Sequence, residues 1–134
     1  MSRIVGLGLD VVDLARLERL LARHGDAFER RFVRDGEARQ LGGAARVAHL
    51  GGLFAAKEAA LKALGTGWAG GLGLRQIEVT RETGGRPGLR FHGAAADRAR
   101  ALGVEHQQIS ITHDRGVAAA VVVLEGTSPE GTDR

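Results

Sequence analysis

The chain contains no cysteine. That excludes a disulfide scaffold, thiolate zinc sites and a cysteine nucleophile, and it fits a reducing compartment. Tyrosine is absent too, and one Trp and four Phe are the only aromatic residues. No apolar run approaches the ~20 residues of a membrane-spanning helix. The start, Met1-Ser2-Arg3, leads directly into an apolar segment, without the long apolar stretch and small-residue cleavage site of a secretory signal. A cytoplasmic location is expected. Lysine is nearly missing: of 19 basic residues only Lys57 and Lys62 are lysine, and the rest are arginine. So few lysines and aromatics weigh against a nucleic-acid-binding module. The mild net charge of +3 suits an acidic protein partner or a phosphorylated ligand as well as nucleic acid.

The 134 residues make one domain of ordinary size. Glycine is abundant, 21 of 134 against a usual share of about 7%, but it is scattered, which excludes a collagen-like or low-complexity pattern. The stretch around which the chain is organised is Phe54-Ala55-Ala56-Lys57-Glu58-Ala59-Ala60-Leu61-Lys62-Ala63-Leu64. It is rich in Ala and Leu and free of Gly, Pro and β-branched residues, which predicts a helix. Gly65-Thr66-Gly67 supplies its stop. At about 100° per residue, Phe54, Glu58 and Leu61 share one stripe, and Ala56, Ala60 and Leu64 form a second apolar surface. A helix apolar on two sides is a buried one, yet Glu58 lies within an apolar stripe, where an unpaired carboxylate is costly. Either Glu58 pairs with Lys62 at i+4 on the helix surface, or it is a metal ligand or base with Lys62 holding an anion beside it.

Before this helix, Ile4 to Asp10 reads as a strand. Val5, Leu7 and Leu9 fall on one face, and Ile4, Gly6, Gly8 and Asp10 on the other. The two glycines let another backbone approach closely. Asp13 caps a following helix through Leu14, Leu17, Leu20 and Leu21 that ends before Gly25. Its other face carries Arg16, Arg19 and Arg23, either a solvated stripe or a docking surface for an acidic partner helix. Residues 26–41 form one or two short helices anchored by Phe28 and Phe32, with Asp26 and Asp35 as caps. Residues 44–50 resume a helical pattern, either continuous with the Phe54 helix or kinked at Gly51-Gly52. A glycine-rich loop containing Trp68 follows. Gln76 to Arg81 and Leu89 to His92 pair as a hairpin across Thr83-Gly84-Gly85-Arg86-Pro87. Ala94 to Leu102 is helical and closed by Gly103. Gln108 to Thr112 and Val117 to Leu124 form a second hairpin across His113-Asp114-Arg115-Gly116, the latter strand central because it is apolar throughout. The sum is an α+β fold in a single domain over residues 1–125, an antiparallel or mixed sheet packed on helices with a long central helix. Residues 126–134 form a disordered tail.

Four separated pieces share one pattern: Gly8-Leu9-Asp10 with Arg16 six residues on; Phe54-Ala55-Ala56-Lys57-Glu58-Ala59 with Lys62-Ala63-Leu64-Gly65-Thr66-Gly67; Gly85-Arg86-Pro87; and Ser110-Ile111-Thr112-His113. In order and spacing they closely resemble the holo-acyl-carrier-protein synthase family, the small trimeric type of 4′-phosphopantetheinyl transferase. The resemblance spans residues 4 to about 125 and implies a phosphopantetheinyl transferase-like fold.

The resemblance also implies a reaction, transfer of 4′-phosphopantetheine from coenzyme A to a serine of apo acyl carrier protein, leaving adenosine 3′,5′-bisphosphate, in support of fatty-acid or polyketide biosynthesis. It implies Mg2+ held by Asp10 and Glu58, with Asp114 as an additional ligand. Mg2+ is a hard ion commonly held by one or two carboxylates plus substrate phosphates. Asp10, Glu58 and His113 would be catalytic, Glu58 as the base. Lys62, Gly65, Arg86, Pro87 and His113 would hold coenzyme A. Arg16, Arg19 and Arg23 would dock the acidic carrier, and a homotrimer would share each active site between two subunits. One departure stands out: Leu53 occupies the position where the family usually has a coenzyme-holding Arg, with Arg46 or Arg86 as substitutes. Two other readings are a silent carrier-binding module, supported only by Leu53, and an arginine-driven nucleic-acid domain with strongly salt-dependent binding.

Overall fold

A computed structural model describes residues 2–65 and 71–127. Strand β1 (Arg3–Asp13) leads into helix α1 (Leu14–His24), a short helix α2 (Asp26–Glu29) and the long helix α3 (Gly43–Leu64). A hairpin of β2 (Ile77–Arg81) and β3 (Pro87–Phe91) follows, then helix α4 (Gly93–Leu102) and a second hairpin of β4 (Val104–Asp114) and β5 (Val117–Gly126). The strands make two antiparallel sheets, β1-β5-β4 and β2-β3. The α+β class, the central helix, both hairpins and the central place of the Val117 strand are as the sequence predicts. No helix among the described residues is long and apolar enough to cross a membrane.

Helix α3 is one uninterrupted element of 22 residues. Gly51-Gly52 does not kink it. Both glycines make room for neighbours instead. A Cβ on Gly51 would stand 2.3 Å from Cδ2 of Leu14, and one on Gly52 would stand 3.1 Å from Cγ2 of Ile111. Gly65 ends the helix in the left-handed conformation, its N–H donating to the carbonyls of Leu61 and Lys62. Thr66, Gly67 and Trp68, which the sequence places in the stop and the following loop, lie outside the described residues.

Strand β1 meets α3 along its glycine face. A Cβ on Gly8 would stand 1.8 Å from the carbonyl oxygen of Ala59, and one on Gly6 would stand 2.2 Å from that of Ala63. Helix and strand backbones are in contact, and no side chain fits between them. The opposite face of β1 is open: Leu7 and Leu9 are 63% and 60% exposed, and Val11 and Ile4 are exposed as well. A register break between Ile4 and Gly6 takes Val5 out of the predicted Leu7–Leu9 face and packs it against the core, while Ile4 leaves the glycine face for solvent.

Asp13 caps α1 as its type predicts, Oδ1 accepting from the N–H of Ala15 at 3.0 Å. Asp26 and Asp35 do not cap. Asp26 is the first residue of α2, whose cap position is Gly25, and Asp35 lies in a turn. Phe32 is fully buried and stacks edge-on against Phe28 and Phe54. The β4–β5 turn is shorter than the sequence predicts. Only Arg115 and Gly116 form it, both with positive φ, as two-residue hairpin turns require. Gly126, assigned from sequence to the tail, is instead the last paired residue of β5. The rest of the predicted tail from residue 128 lies outside the described residues.

Among the described residues two charged side chains are buried, Lys57 and Glu37. Lys57 Nζ donates to Glu37 Oε1 at 2.7 Å. Burial pushes the Lys57 ammonium below its ordinary pKa, and the bond to Glu37 opposes that shift.

The glycine contact yields a direct expectation. Gly8→Ala forces a methyl into the Ala59 carbonyl and should lower the free energy of unfolding by about 3 kcal/mol or more. Gly73→Ala, with nothing within 4 Å, should change it by less than about 1 kcal/mol. Urea titrations of both variants test this. Equal losses would mean that the β1–α3 contact is not the constraint.

Candidate functional site

Asp10 lies two residues beyond Gly8 on the same side of β1, opposite Ala120 of β5. Glu58 and Lys62 flank Ala59, whose carbonyl Gly8 faces. The backbone contact therefore brings these three side chains together. Lys62 Nζ donates to Asp10 Oδ1 at 3.1 Å and to the carbonyl of Leu9 at 3.0 Å. The i+4 pairing of Lys62 with Glu58 is replaced by an ion pair across elements.

Glu58 is half-buried and lines a cleft of about 420 Å³ with Asp10, Arg16, Phe28 and Phe54. Burial raises its pKa first, repulsion from Asp10 raises it further, and Lys62 partly offsets both. Two carboxylates converge on one cleft; Lys62 pairs with Asp10, and among the described residues no arginine ion pair to either is formed. Their oxygens suit a hard divalent cation that takes its remaining ligands from phosphate and water. No group of three or more metal-ligating side chains occurs among the described residues.

The other predicted residues fall in three places. Arg16 lines the carboxylate cleft, and Arg19 and Arg23 stand exposed on α1. Gly65 caps α3 beside Arg98, which donates to the carbonyl of Leu64 at 2.8 Å. His113 and Pro87 line a different cavity of about 350 Å³, with Leu53, His49, Arg39 and Arg81. The two cavities share no lining residue.

Three expected residues stand apart from these cavities within the single chain. Asp114 does not join Asp10 within the chain. It pairs with Val117 at the end of β4, so strand alternation turns it to the face opposite Asp10, which pairs with Ala120. Arg46 bonds to Glu29 and does not line the Leu53 cavity. Arg86 bonds to Gln108 at 3.0 Å and is likewise outside that lining. Arg39 and Arg81, which the sequence reading did not single out, are the arginines beside Leu53. The lysine scarcity was a usable signal, since Lys57 and Lys62 are the two ammonium groups with defined carboxylate partners.

Comparison with known proteins gives one answer. Residues 6–122 match the model of the 4′-phosphopantetheinyl transferase superfamily. The holo-[acyl-carrier-protein] synthase of Solidesulfovibrio magneticus is 50% identical over 123 residues, covering 92% of this chain and 99% of that protein. The crystal structure of holo-[acyl-carrier-protein] synthase from Neisseria meningitidis superposes with a TM-score of 0.82 at 32% identity, covering 91% of this chain and 98% of that one. The Bacillus anthracis synthase in complex with CoA (3′,5′-ADP) superposes with a TM-score of 0.76 at 34% identity, covering 92% and 98%.

The Glu58 environment carries a pH dependence. In the unfolded chain Glu58 titrates near ~4.3, while in the folded protein it holds its proton to higher pH. Between those two values the folded state binds more protons than the unfolded state, so stability falls as pH rises through the interval. In cation-free buffer, Glu58→Gln should therefore melt above the wild type at pH 7.5, and the gap should close toward pH 4. Calorimetry across that range checks it, and a variant that melts below the wild type at pH 7.5 would contradict it.

Proposed function

The chain belongs to the 4′-phosphopantetheinyl transferase superfamily, and from that premise we propose that it acts as a Mg2+-dependent holo-acyl-carrier-protein synthase working through Asp10 and Glu58. It transfers phosphopantetheine from coenzyme A to a serine of apo acyl carrier protein. The by-product is adenosine 3′,5′-bisphosphate, and the setting is cytoplasmic fatty-acid or polyketide biosynthesis. The observation that carries the reading is the convergence of Asp10, Glu58 and Lys62 at a cleft that Arg16 also lines.

A bond forms between the carrier serine oxygen and the phosphorus bearing pantetheine, and the bond from that phosphorus to the bisphosphate breaks. Glu58 accepts the serine proton. Without a cation, burial and Asp10 hold its pKa above the ordinary carboxylate value, a shift that a bound cation would oppose. Asp10 and Glu58 would hold a divalent cation that neutralises the pyrophosphate and the charge developing on the leaving group. The Lys62 ammonium, about half-exposed while bonded to Asp10, contacts the same phosphates as a point charge. Arg16, Arg19 and Arg23 present a basic helix face to the acidic carrier, which steers and orients it.

Coenzyme A is too long for the carboxylate cleft alone. Its nucleotide end belongs in the cavity of His113 and Pro87, where Arg39 and Arg81 supply the positive charge that Leu53 lacks. Because the two cavities share no lining residue within one chain, a second copy would supply the missing half. The open apolar face of β1, with Leu7, Leu9 and Val11 exposed, is the surface that copies would cover in a homotrimer, since solvating so large an apolar strip is unfavourable.

Mass spectrometry of an apo acyl carrier protein incubated with the protein, coenzyme A and Mg2+ tests the reaction. One phosphopantetheine should be gained. EDTA should abolish the gain, Asp10→Asn should slow it by about 100-fold or more, and Arg19→Glu should raise KM for the carrier by about tenfold. A gain untouched by EDTA and by Asp10→Asn would refute the two-carboxylate metal site.

The shared site has its own test. Leu9→Glu should convert a trimer, seen by sedimentation, into monomers without transferase activity. A wild type that sediments as a monomer and is fully active would rule the shared site out.

A further inference from the structure

Glu37 sits in a turn between α2 and α3, yet it is 6% exposed. Three donors converge on its carboxylate. Lys57 Nζ and the Arg34 N–H both donate to Oε1 at 2.7 Å, and the Val79 N–H donates to Oε2 at 2.8 Å. Its backbone carbonyl faces Nε2 of His49 at 2.9 Å. One residue thus ties together the 34–41 turn, helix α3 and the β2–β3 hairpin.

Each tied piece contributes to the His113 cavity. Arg39 follows Glu37 by two residues, Arg81 follows Val79 by two, and Pro87 pairs with Arg81 across the hairpin. His49 Nε2–H donates to the Glu37 carbonyl, and Leu53 lies one helical turn before Lys57 on α3. All five line that cavity, and none of them lines the cleft of Asp10 and Glu58.

We propose that Glu37, paired with Lys57, is a positioning residue for coenzyme A binding: it sets Arg39, His49 and Arg81 against one another around the cavity that takes the nucleotide. The inference rests on the reading that this cavity is the nucleotide half of the site. Only a carboxylate serves at this point. Both acceptor oxygens are used and no donor is tolerated, because every neighbour that reaches the carboxylate is itself a donor. Glutamine would present an N–H to either Val79 or Arg34. Charge pairing for stability alone does not explain the arrangement, since buried ion pairs are often replaceable by apolar residues without loss.

The test compares Glu37→Gln/Lys57→Met with His113→Ala and the wild type, each first checked for cooperative melting. Lys57→Met removes the ammonium, so no unpaired buried charge is left behind. The double variant should raise KM for coenzyme A by about tenfold, with kcat and KM for the apo carrier within about threefold of wild type. His113→Ala should also raise KM for coenzyme A. If His113→Ala raises it and the folded double variant does not, the positioning role is wrong and the cavity assignment stands. If His113→Ala leaves KM for coenzyme A unchanged, the cavity assignment fails and the positioning role with it. Should the double variant not fold, Glu37→Asp keeps the charge and both oxygens but shortens the side chain. A rise of about threefold or more in KM for coenzyme A alone supports the role, and an unchanged KM overturns it.

Discussion

Everything at the candidate site depends on one backbone contact. Gly6 and Gly8 of β1 press against the carbonyls of Ala63 and Ala59 in α3, closer than any Cβ could tolerate. Helix and strand are locked at a fixed height along each other. From that lock Asp10 emerges on the helix side of β1, while Glu58 and Lys62 emerge either side of Ala59. The proximity of the two carboxylates is therefore a consequence of packing, and Lys62, bonded to Asp10, offsets part of their repulsion. The same constraint explains why α3 is alanine-rich where it meets the sheet: a larger side chain at 59 or 63 would push the strand away.

The second organising group is the buried Glu37–Lys57 pair. It does for the irregular 34–41 segment what the glycine contact does for β1, because a turn without ladder hydrogen bonds needs other partners for its polar groups. α3 thus has two functional sides. One presents Glu58 to the carboxylate cleft, and the other holds the turn and hairpin that shape the His113 cavity. Adjacent residues, Lys57 and Glu58, serve opposite sides because successive positions on a helix lie about 100° apart.

The exposed face of β1 follows from the same arrangement. With its glycine side given to α3, the strand's large apolar residues have nowhere to go but outward. Leu7, Leu9 and Val11 form an open apolar strip beside Asp10. A surface of this kind, on a chain whose two cavities share no lining residue, is what a symmetric assembly would use.

Local chemistry made much of this legible in advance. The Asp13 cap, the Gly65 and Gly103 stops, the hairpins and the centrality of the Val117 strand depend on neighbours a few residues apart, and the sequence alone determined them. It also singled out Asp10, Glu58 and Lys62, which the fold brings together, because the spacing of Gly8, Asp10, Phe54, Glu58 and Lys62 resembles a family pattern. The partners were decided only in the tertiary structure. Lys62 chooses Asp10, 52 positions away, over Glu58 at i+4. Lys57 finds Glu37 20 positions back, and Glu37 finds Val79 42 positions on. Asp114 lies on the sheet face opposite Asp10 because strand alternation puts it there. Which side of β1 meets the helix was open in the same way, since alternation defines two faces and says nothing of which is covered. Such contacts join segments that no local pattern brings together, and only the fit of the glycine face against α3 selects them.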